Sequence, residues 1–491
     1  MSYKAREDIV LRNIYDKYFV IDLWNQNYRL HENIVSINYV SYCIFSYIQK
    51  VDCAEIDDLI EFVYSEFSIP NSISREMIND DINKFLELFI NLGYIISDNN
   101  VIVKNTNLKN VEKTMDIPNS AFDWEQWSIE VGKKGIPLAG GIELTSHCNM
   151  NCLHCYQQNL DRDSYMSTND IKRIIDQLED ANVLFLYFTG GEIFTRKDFL
   201  EIYMYAKRKG FILSLLSNAT IVPEKAFEIF KKYPPEIFSV SIYGMTEEIY
   251  NKVTQTKTNY KNVIENCERI KKMGIYLELK FIILKENLHQ FQQFIKLCEN
   301  LCVDVNYSSE LFPTIDGDKK VFDYRISNEQ IVDLIKIEKE FPQVLNHVTS
   351  LKNPYLGKED VPLFMCDICE TDFLIDDRGY LNPCSRYRID DYYLGKWSFK
   401  NAWADIQKIR KIKAIDTYKC RRCKYLQICS PCAAQNLLET GDINVPGKLR
   451  CDLAERKFKE FSKYIYSAEK NIGGEKNERK NWVRSSYCRV D

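Results

Sequence analysis

Four things are missing from this 491-residue chain, and each absence removes a class of explanation. No apolar run approaches the roughly 20 residues that a membrane-spanning helix needs, so no bilayer segment is expected. The opening residues, MSYKAREDIVLRNIYDK, are charged and hold no apolar signal core. Export is therefore not expected, and the chain reads as cytoplasmic. There is no basic excess: 65 Lys and Arg face 70 Asp and Glu, a formal charge of −5, which argues against a nucleic-acid partner. Long repeats and low-complexity tracts are absent too.

What the chain has in quantity is cysteine. Of its 17 cysteines, 11 fall in two dense stretches, 148–155 and 366–451. In a reducing compartment disulfides explain such crowding poorly, whereas metal or cluster ligation explains it well. The remainder is ordinary globular material, 45% hydrophobic and 27% charged, enough for two to four domains.

Residues 1–105 carry no clustered cysteines and read as a small α+β unit of winged-helix type. FVIDLWNQNYRLHE predicts one or two strands. Ile56, Leu59, Ile60, Val63 and Phe67 recur at helical spacing, as do Ile78, Ile82, Phe85, Leu86 and Phe89. Gly93 stops the second helix, Tyr94–Ile96 reads as a strand, and NNVIVKN reads as a hairpin wing. Residues 106–136 read as a linker, polar over its first half. From about Pro137 strands and helices alternate. GIELT, LFLYFTGGE, FILSLLSNA, IFSVSIYG, LELKFIIL and VDVNYSS are the strands, with helices near 168–178, 197–209, 223–232, 247–273 and 287–300. Six strands with intervening helices imply a parallel α/β sheet with right-handed crossovers, its reactive end at the strands' carboxyl termini. This domain is assigned to 137–345, a cysteine-rich segment of short elements to 346–465, and a polar tail to 466–491.

The first cysteine loop, CNMNCLHC, places Cys148, Cys152 and Cys155 at C-x3-C-x2-C, directly after the first strand. Three close thiolates can hold three irons of a 4Fe-4S cube and leave the fourth iron open for a substrate. A structural zinc with His154 as fourth ligand is the plainer alternative. The loop closely resembles that of the radical S-adenosylmethionine (SAM) superfamily. In that family the open iron chelates the amino and carboxylate groups of SAM, and an electron from the reduced cube yields a 5′-deoxyadenosyl radical. By this resemblance Gly190, Gly191 and Glu192, one strand later, contact the SAM amino group. The glycines would let the backbone come close to the ligand. His154 and Tyr156 lie beside the cofactor, His154 at the aromatic position near the adenine. Asn218 and Ser241 are candidates for its ribose and carboxylate, though ordinary strand-end turns would look the same. The implied fold is a partial (β/α)6 barrel.

The second set begins with Cys366, Cys369 and Cys384, the last two spaced C-x9-G-x4-C about Gly379. Cys420, Cys423, Cys429 and Cys432 follow as C-x2-C-x5-C-x2-C, then Cys451. This resembles the SPASM domain, which holds two auxiliary 4Fe-4S clusters, with Cys429 and Cys432 one residue closer than the family's usual spacing. The resemblance implies one cluster on Cys366, Cys369, Cys384 and Cys432, and another on Cys420, Cys423, Cys429 and Cys451. That makes three clusters, about 12 Fe per chain. Paired zinc-ribbon sites are the alternative. Cys43, Cys53, Cys267, Cys298, Cys302 and Cys488 lack metal spacing and read mostly as small core residues.

A strand–helix–wing unit ahead of such a core resembles the RiPP recognition element, which binds the leader of a ribosomally made precursor peptide by strand addition. The expected edge is near Tyr18–Leu30, with helix 76–91 as one wall. A DNA-binding winged helix would need a basic helix there, and EMINDDINKFLELFIN is acidic. The resemblance as a whole implies a peptide maturase that forms thioether crosslinks, as in the sactipeptide and ranthipeptide enzymes, with flavodoxin or ferredoxin as electron donor. Asp376 and Asp377, just before Gly379, are candidate bases by position only, solvated loop carboxylates being the plainer expectation. Other readings stay open: a maturase forming carbon–carbon or other crosslinks, a sulfatase-maturating dehydrogenase, or a non-catalytic zinc protein.

Overall fold

A computed structural model describes residues 1–24, 34–98, 122–158, 165–257, 260–338, 362–366, 368–426 and 428–471. The N-terminal unit contains strands β1 (Ser2–Ala5), β2 (Ile9–Ile14), β3 (Lys17–Asp22) and β4 (Ile34–Ile37), then α1 (Tyr39–Val51), β5 (Ala54–Glu55), α2 (Ile56–Glu66), α3 (Arg75–Asn91) and β6 (Ile95–Ser97). Two antiparallel sheets result, ordered β5-β1-β6 and β2-β3-β4. The amphipathic spacing in α2 and α3 buries Leu59, Ile60, Val63, Ile78, Ile82, Phe85, Leu86 and Phe89 against Val20, Phe45 and Ile48. Asn38 and Ser74 cap α1 and α3, their side chains accepting from Ser41 N (2.8 Å) and Met77 N (3.2 Å).

Three expectations change here. The unit has a helix, α1, that the periodicity in 56–89 did not reveal. β3 is not an edge: it pairs with β2 on one side and β4 on the other. The expected edge at Tyr18–Leu30 is therefore interior over Tyr18–Ile21, while its residues 25–30 lie outside the described residues, as does the NNVIVKN wing. The assigned linker contains a helix, α4 (Trp124–Lys133). Trp127 and Val131 of α4 are buried between the β2-β3-β4 sheet and the main sheet.

The main sheet runs β12-β11-β10-β9-β8-β7-β13-β14. Its strands are β7 (Ala139–Glu143), β8 (Phe185–Thr189), β9 (Ile212–Ser217), β10 (Ile237–Ile242), β11 (Tyr276–Ile282) and β12 (Val305–Ser308), all parallel, joined by β13 (Asp372–Ile375) and β14 (Leu381–Asn382). Consecutive order in a parallel sheet demands a crossover helix between each pair. Those helices are α5 (Thr168–Asp180), α6 (Phe199–Arg208), α7 (Glu224–Lys232), α8 (Glu247–Thr254), α9 (Tyr260–Lys272) and α10 (Phe291–Leu301). The single helix expected over 247–273 is two: α8 ends where Gln255 turns left-handed (φ 53). α11 (Asn328–Glu338) follows.

β13 adds to the sheet in parallel beside β7, so the cysteine-rich segment is continuous with the barrel, not appended to it. The segment continues through α12 (Phe399–Ile406), α13 (Ala433–Thr440) and α14 (Lys448–Asn471). α14 crosses the expected start of the tail at 466; residues 472–491 and the expected domain boundary at 345–346 lie outside the described residues. Of the cysteines without metal spacing, Cys267 and Cys298 are buried, Cys43 is half-buried, and Cys53 and Cys302 are exposed. Cys488 lies outside the described residues.

Candidate active site at the carboxyl end of the parallel sheet

The cysteine loop leaves β7 at Glu143 and is pinned from three directions. The turn after β8 hydrogen-bonds to it: Gly191 N donates to Thr145 O (2.7 Å) and Glu192 N to His147 O (2.9 Å). The end of α8 accepts from it, Asn151 N reaching Thr254 O (3.0 Å) and Leu153 N reaching Val253 O (3.0 Å). The buried Arg196 guanidinium donates to Leu144 O (2.7 Å) and Met166 O (2.9 Å) and pairs with Asp198.

Gly190 and Gly191 serve this packing. A Cβ on Gly190 would meet Thr145 O at 2.2 Å, and one on Gly191 would meet His147 O at 2.2 Å. Gly190 also sits at φ +137, which side chains rarely adopt. The close approach that the two glycines permit is to the loop's own backbone. Glu192 is buried, its carboxylate accepting from Ser217 Oγ (2.8 Å), Asn218 N (2.7 Å) and Phe194 N (3.2 Å). Burial raises its carboxyl to about 7 despite those donors.

Cys148, Cys152 and Cys155 face one another. Burial first, then the neighbouring Cys155 and Cys148, push the Cys152 thiol well above its ordinary value. Asn218 Nδ2 donates to Asn149 Oδ1 (2.8 Å) and reaches Cys148 Sγ at 4.0 Å, so the structure does bring Asn218 to the loop. Ser241 and Cys152 are both within hydrogen-bonding reach of the Tyr243 hydroxyl. His154 packs its ring on Tyr243 at 5.2 Å. Burial lowers the imidazole to about 4, so it is neutral at pH 7. Tyr156 lies toward Glu143, where burial and that carboxylate raise its phenol.

Sequence reasoning missed the residues behind the loop. Tyr243 and Tyr250 stand edge-to-face at 5.7 Å. Glu143, almost fully buried, receives a bidentate pair from Arg388 of the cysteine-rich segment (2.7 and 2.9 Å) and a bond from Gln157 (2.8 Å). A glutamate inside the apolar strand GIELT was the available signal, since a buried carboxylate needs a partner. Nor are Asp376 and Asp377 solvated: they are 2% and 5% exposed. Asp376 anchors its own turn, accepting from Arg378 N, Tyr380 N and the Arg378 guanidinium. Asp377 instead faces Ser146 of the cysteine loop. Burial first, with Glu143 and Asp376 nearby, raises its carboxyl to about 6 against the Ser146 hydrogen bond and Arg388.

The remaining thiols fall into two neighbourhoods. Cys369 is influenced by Cys384 and Cys366, and Cys384 by Cys432. Cys420, Cys423, Cys429 and Cys451 influence one another. Arg450 lies beside Cys432 and Cys429, one from each set. Burial raises Cys369 and Cys429 to about 12 and Cys420 to about 11, a cost that a bound cation would reverse. Among the described residues no three His, Cys, Asp or Glu side chains converge tightly enough to hold a single metal ion. Thiolates bound to separate irons of a cluster stand farther apart than thiolates around one zinc. Two polar atoms beside the first loop, His154 Nδ1 and the Tyr250 hydroxyl, are buried without a hydrogen-bond partner among the described residues. Three crowded thiols with unpartnered polar groups around them fit an iron–sulfur cluster with its bound cofactor.

Residues 142–298, from the end of β7 into α10, match the model of the Radical SAM superfamily. The domain they lie in is a radical SAM domain, and the chain that carries it is an enzyme. Among curated proteins it is 22% identical over 324 residues to the AdoMet-dependent heme synthase of Oleidesulfovibrio alaskensis, covering 61% of this chain and 83% of that one. It is 25% identical over 168 residues to the antilisterial bacteriocin subtilosin biosynthesis protein AlbA of Bacillus subtilis, 34% of this chain and 38% of that one. Among solved structures, native anSMEcpe with bound AdoMet superposes with a TM-score of 0.55 at 18% identity, over 68% of this chain and all of that one. Among the described residues no helix is long and apolar enough to cross a membrane.

Proposed function

We propose that this enzyme is a peptide maturase that installs intramolecular thioether crosslinks, from cysteine sulfur to Cα or Cβ of an acceptor residue, in a ribosomally made precursor. The observation that carries the reading is the joining of the two cysteine regions. β13 extends the barrel sheet, Arg388 reaches Glu143 inside it, and Asp377 reaches Ser146, so the auxiliary thiols lie on the segment that closes the site. Relatives named for subtilosin biosynthesis and as a PqqA peptide cyclase support a peptide substrate. The heme-synthase relatives favour a second reading, a porphyrin substrate, over the same core.

When bound, the cluster held by Cys148, Cys152 and Cys155 supplies the 5′-deoxyadenosyl radical from SAM. Gly190–Glu192, Asn218, Ser241, His154 and Tyr156 orient that cofactor. The cysteines at 366, 369, 384 and 432 and at 420, 423, 429 and 451 hold the two auxiliary 4Fe-4S clusters. Per crosslink the peptide would lose one hydrogen atom from the acceptor carbon, one proton from the thiol and one electron, and clusters held by the auxiliary cysteines would supply the redox capacity for that electron. Asp377, not Asp376, is the carboxylate free to take that proton. Its raised value leaves it ionised above about pH 6 and ready to bind a proton there.

The N-terminal unit binds the leader. β4 has β3 as its partner and a second side without one among the described residues. Tyr39, Val40 and Met77 are exposed nearby on α1 and α3, a surface that suits strand addition. Leader binding raises the effective concentration of the core peptide at the far end of the barrel. The test is anaerobic incubation with SAM, reductant, flavodoxin or ferredoxin, and the peptide encoded beside this chain. Tandem mass spectra showing two hydrogens lost per crosslink at a cysteine support the reading. Turnover of coproheme with an unchanged peptide sinks it.

A further inference from the structure

Tyr250 is a phenol where a phenylalanine would be expected. It is fully buried in α8, packed between Tyr243 (5.7 Å) and Tyr260 (5.5 Å). Its hydroxyl has no hydrogen-bond partner among the described residues. A buried unpaired hydroxyl is destabilising, and its deletion would leave the aromatic packing intact.

The place of this hydroxyl is not arbitrary. The two last carbonyls of α8 accept from Asn151 and Leu153, the residues on either side of Cys152. α8 is thereby fixed to the loop at that cysteine. Tyr243, the ring against Tyr250, brings its own hydroxyl within reach of Cys152. After burial itself, Cys152 is the group that most raises the Tyr250 phenol, ahead of Cys267, Tyr260 and Glu192. Two phenols therefore lie beside one cysteine. One already has acceptors at hand, and the other has none among the described residues.

We infer that Tyr250, beside Tyr243, donates a hydrogen bond to a sulfide of the cluster that Cys148, Cys152 and Cys155 would hold, and so sets how readily that cluster is reduced. The inference rests on the radical SAM reading of the loop. Thiolate and sulfide carry negative charge and accept from a phenol, and reduction adds one more negative charge. The bond is stronger in the reduced state, so it raises the potential. Tyr250 would ease electron entry from the donor, while a removed hydroxyl would leave a harder-to-reduce cluster.

The experiment compares the anaerobically reconstituted full chain with Y250F and with the control Y203F. Tyr203 is equally buried, but its hydroxyl donates to Tyr233 O (2.7 Å), away from the loop. Each protein is titrated redox-wise and followed by electron paramagnetic resonance. The relevant signal is the one that changes on adding SAM and vanishes in C148A/C152A/C155A. In Y250F it is expected to titrate at a more negative potential, up to a tenfold change in the reduction equilibrium, about 59 mV for one electron. Y203F is expected to match the unaltered chain. A hyperfine-coupled exchangeable proton should also be lost in Y250F. A SAM-responsive signal in Y250F with the original potential and the original coupled protons overturns the inference alone. No SAM-responsive cluster signal in the unaltered chain overturns the functional reading and the inference with it.

Discussion

The two ends of the parallel sheet are built on opposite principles. At the amino end, Ala139, Phe185 and Ile212 begin their strands against Phe19, Ile21, Trp127 and Val131, an apolar seam between two domains. Phe19 is ringed by Phe122, Trp124 and Trp127 at 5.5–5.6 Å. Two buried cations there are satisfied by carbonyls: Arg12 by those of Lys209 (3.0 Å) and Val183 (2.8 Å), and Lys207 by that of Pro234 (2.9 Å). At the carboxyl end, carboxyls are raised by burial and thiols crowd together, while a buried polar atom without a partner among the described residues occurs at either end, Trp127 Nε1 at the first and His154 Nδ1 and the Tyr250 hydroxyl at the second. The first arrangement maximises packing. The second holds polar groups at a cost that only a bound ligand or a reaction explains.

The contrast can be broken most sharply at the cysteines. C148A/C152A/C155A is expected to abolish SAM cleavage, read as deoxyadenosine by chromatography, while the melting of the N-terminal unit is unchanged. Next comes D377N. It should still cleave SAM but lose crosslinked peptide by about 10²–10⁴-fold, the range for a positioned acid or base. D376N should instead loosen its own turn. In the unaltered chain the crosslinking rate should rise as pH increases through about 6, where Asp377 ionises.

Stability should move the other way. A carboxyl whose folded value lies above its ordinary 3.8 costs stability as pH rises between the two values. The interval from 3.8 to about 6 corresponds to roughly 3 kcal/mol. D377N should therefore be more stable than the unaltered chain at pH 7, with the gain fading below about pH 4. At the amino end, F19A should cost about 3–5 kcal/mol in denaturant melts without altering the cluster's spectrum. If F19A shifts the spectrum, the two ends are not independent. The smallest effect belongs to C298A: Cys298 is buried in α10 among phenylalanines, and its loss should leave the iron content unchanged.

The cysteine loop, the Gly-Gly-Glu turn and the six strands were legible because each is local. A strand needs only alternating or continuous apolar residues, and a loop motif needs only its spacing. The helix α1 was hidden because its buried residues, Ile44, Phe45 and Ile48, form a short stripe amid tyrosines and serines. β3 was misjudged as an edge because pairing on both sides is a property of the sheet and not of the strand.

Sequence alone pointed to the chemistry: three cysteines at this spacing, at the end of a first parallel strand, resemble the radical SAM loop, and that resemblance implies a cluster with an open iron. Tertiary structure decided which groups attend that chemistry. Asp376 and Asp377 are adjacent and alike on paper, yet one closes its own turn and the other faces Ser146 across the domain junction. Tyr250 and Arg388 come to the site from α8 and from the cysteine-rich segment. Burial and partnership depend on residues far apart in the chain, and those distances are set only when the sheet closes.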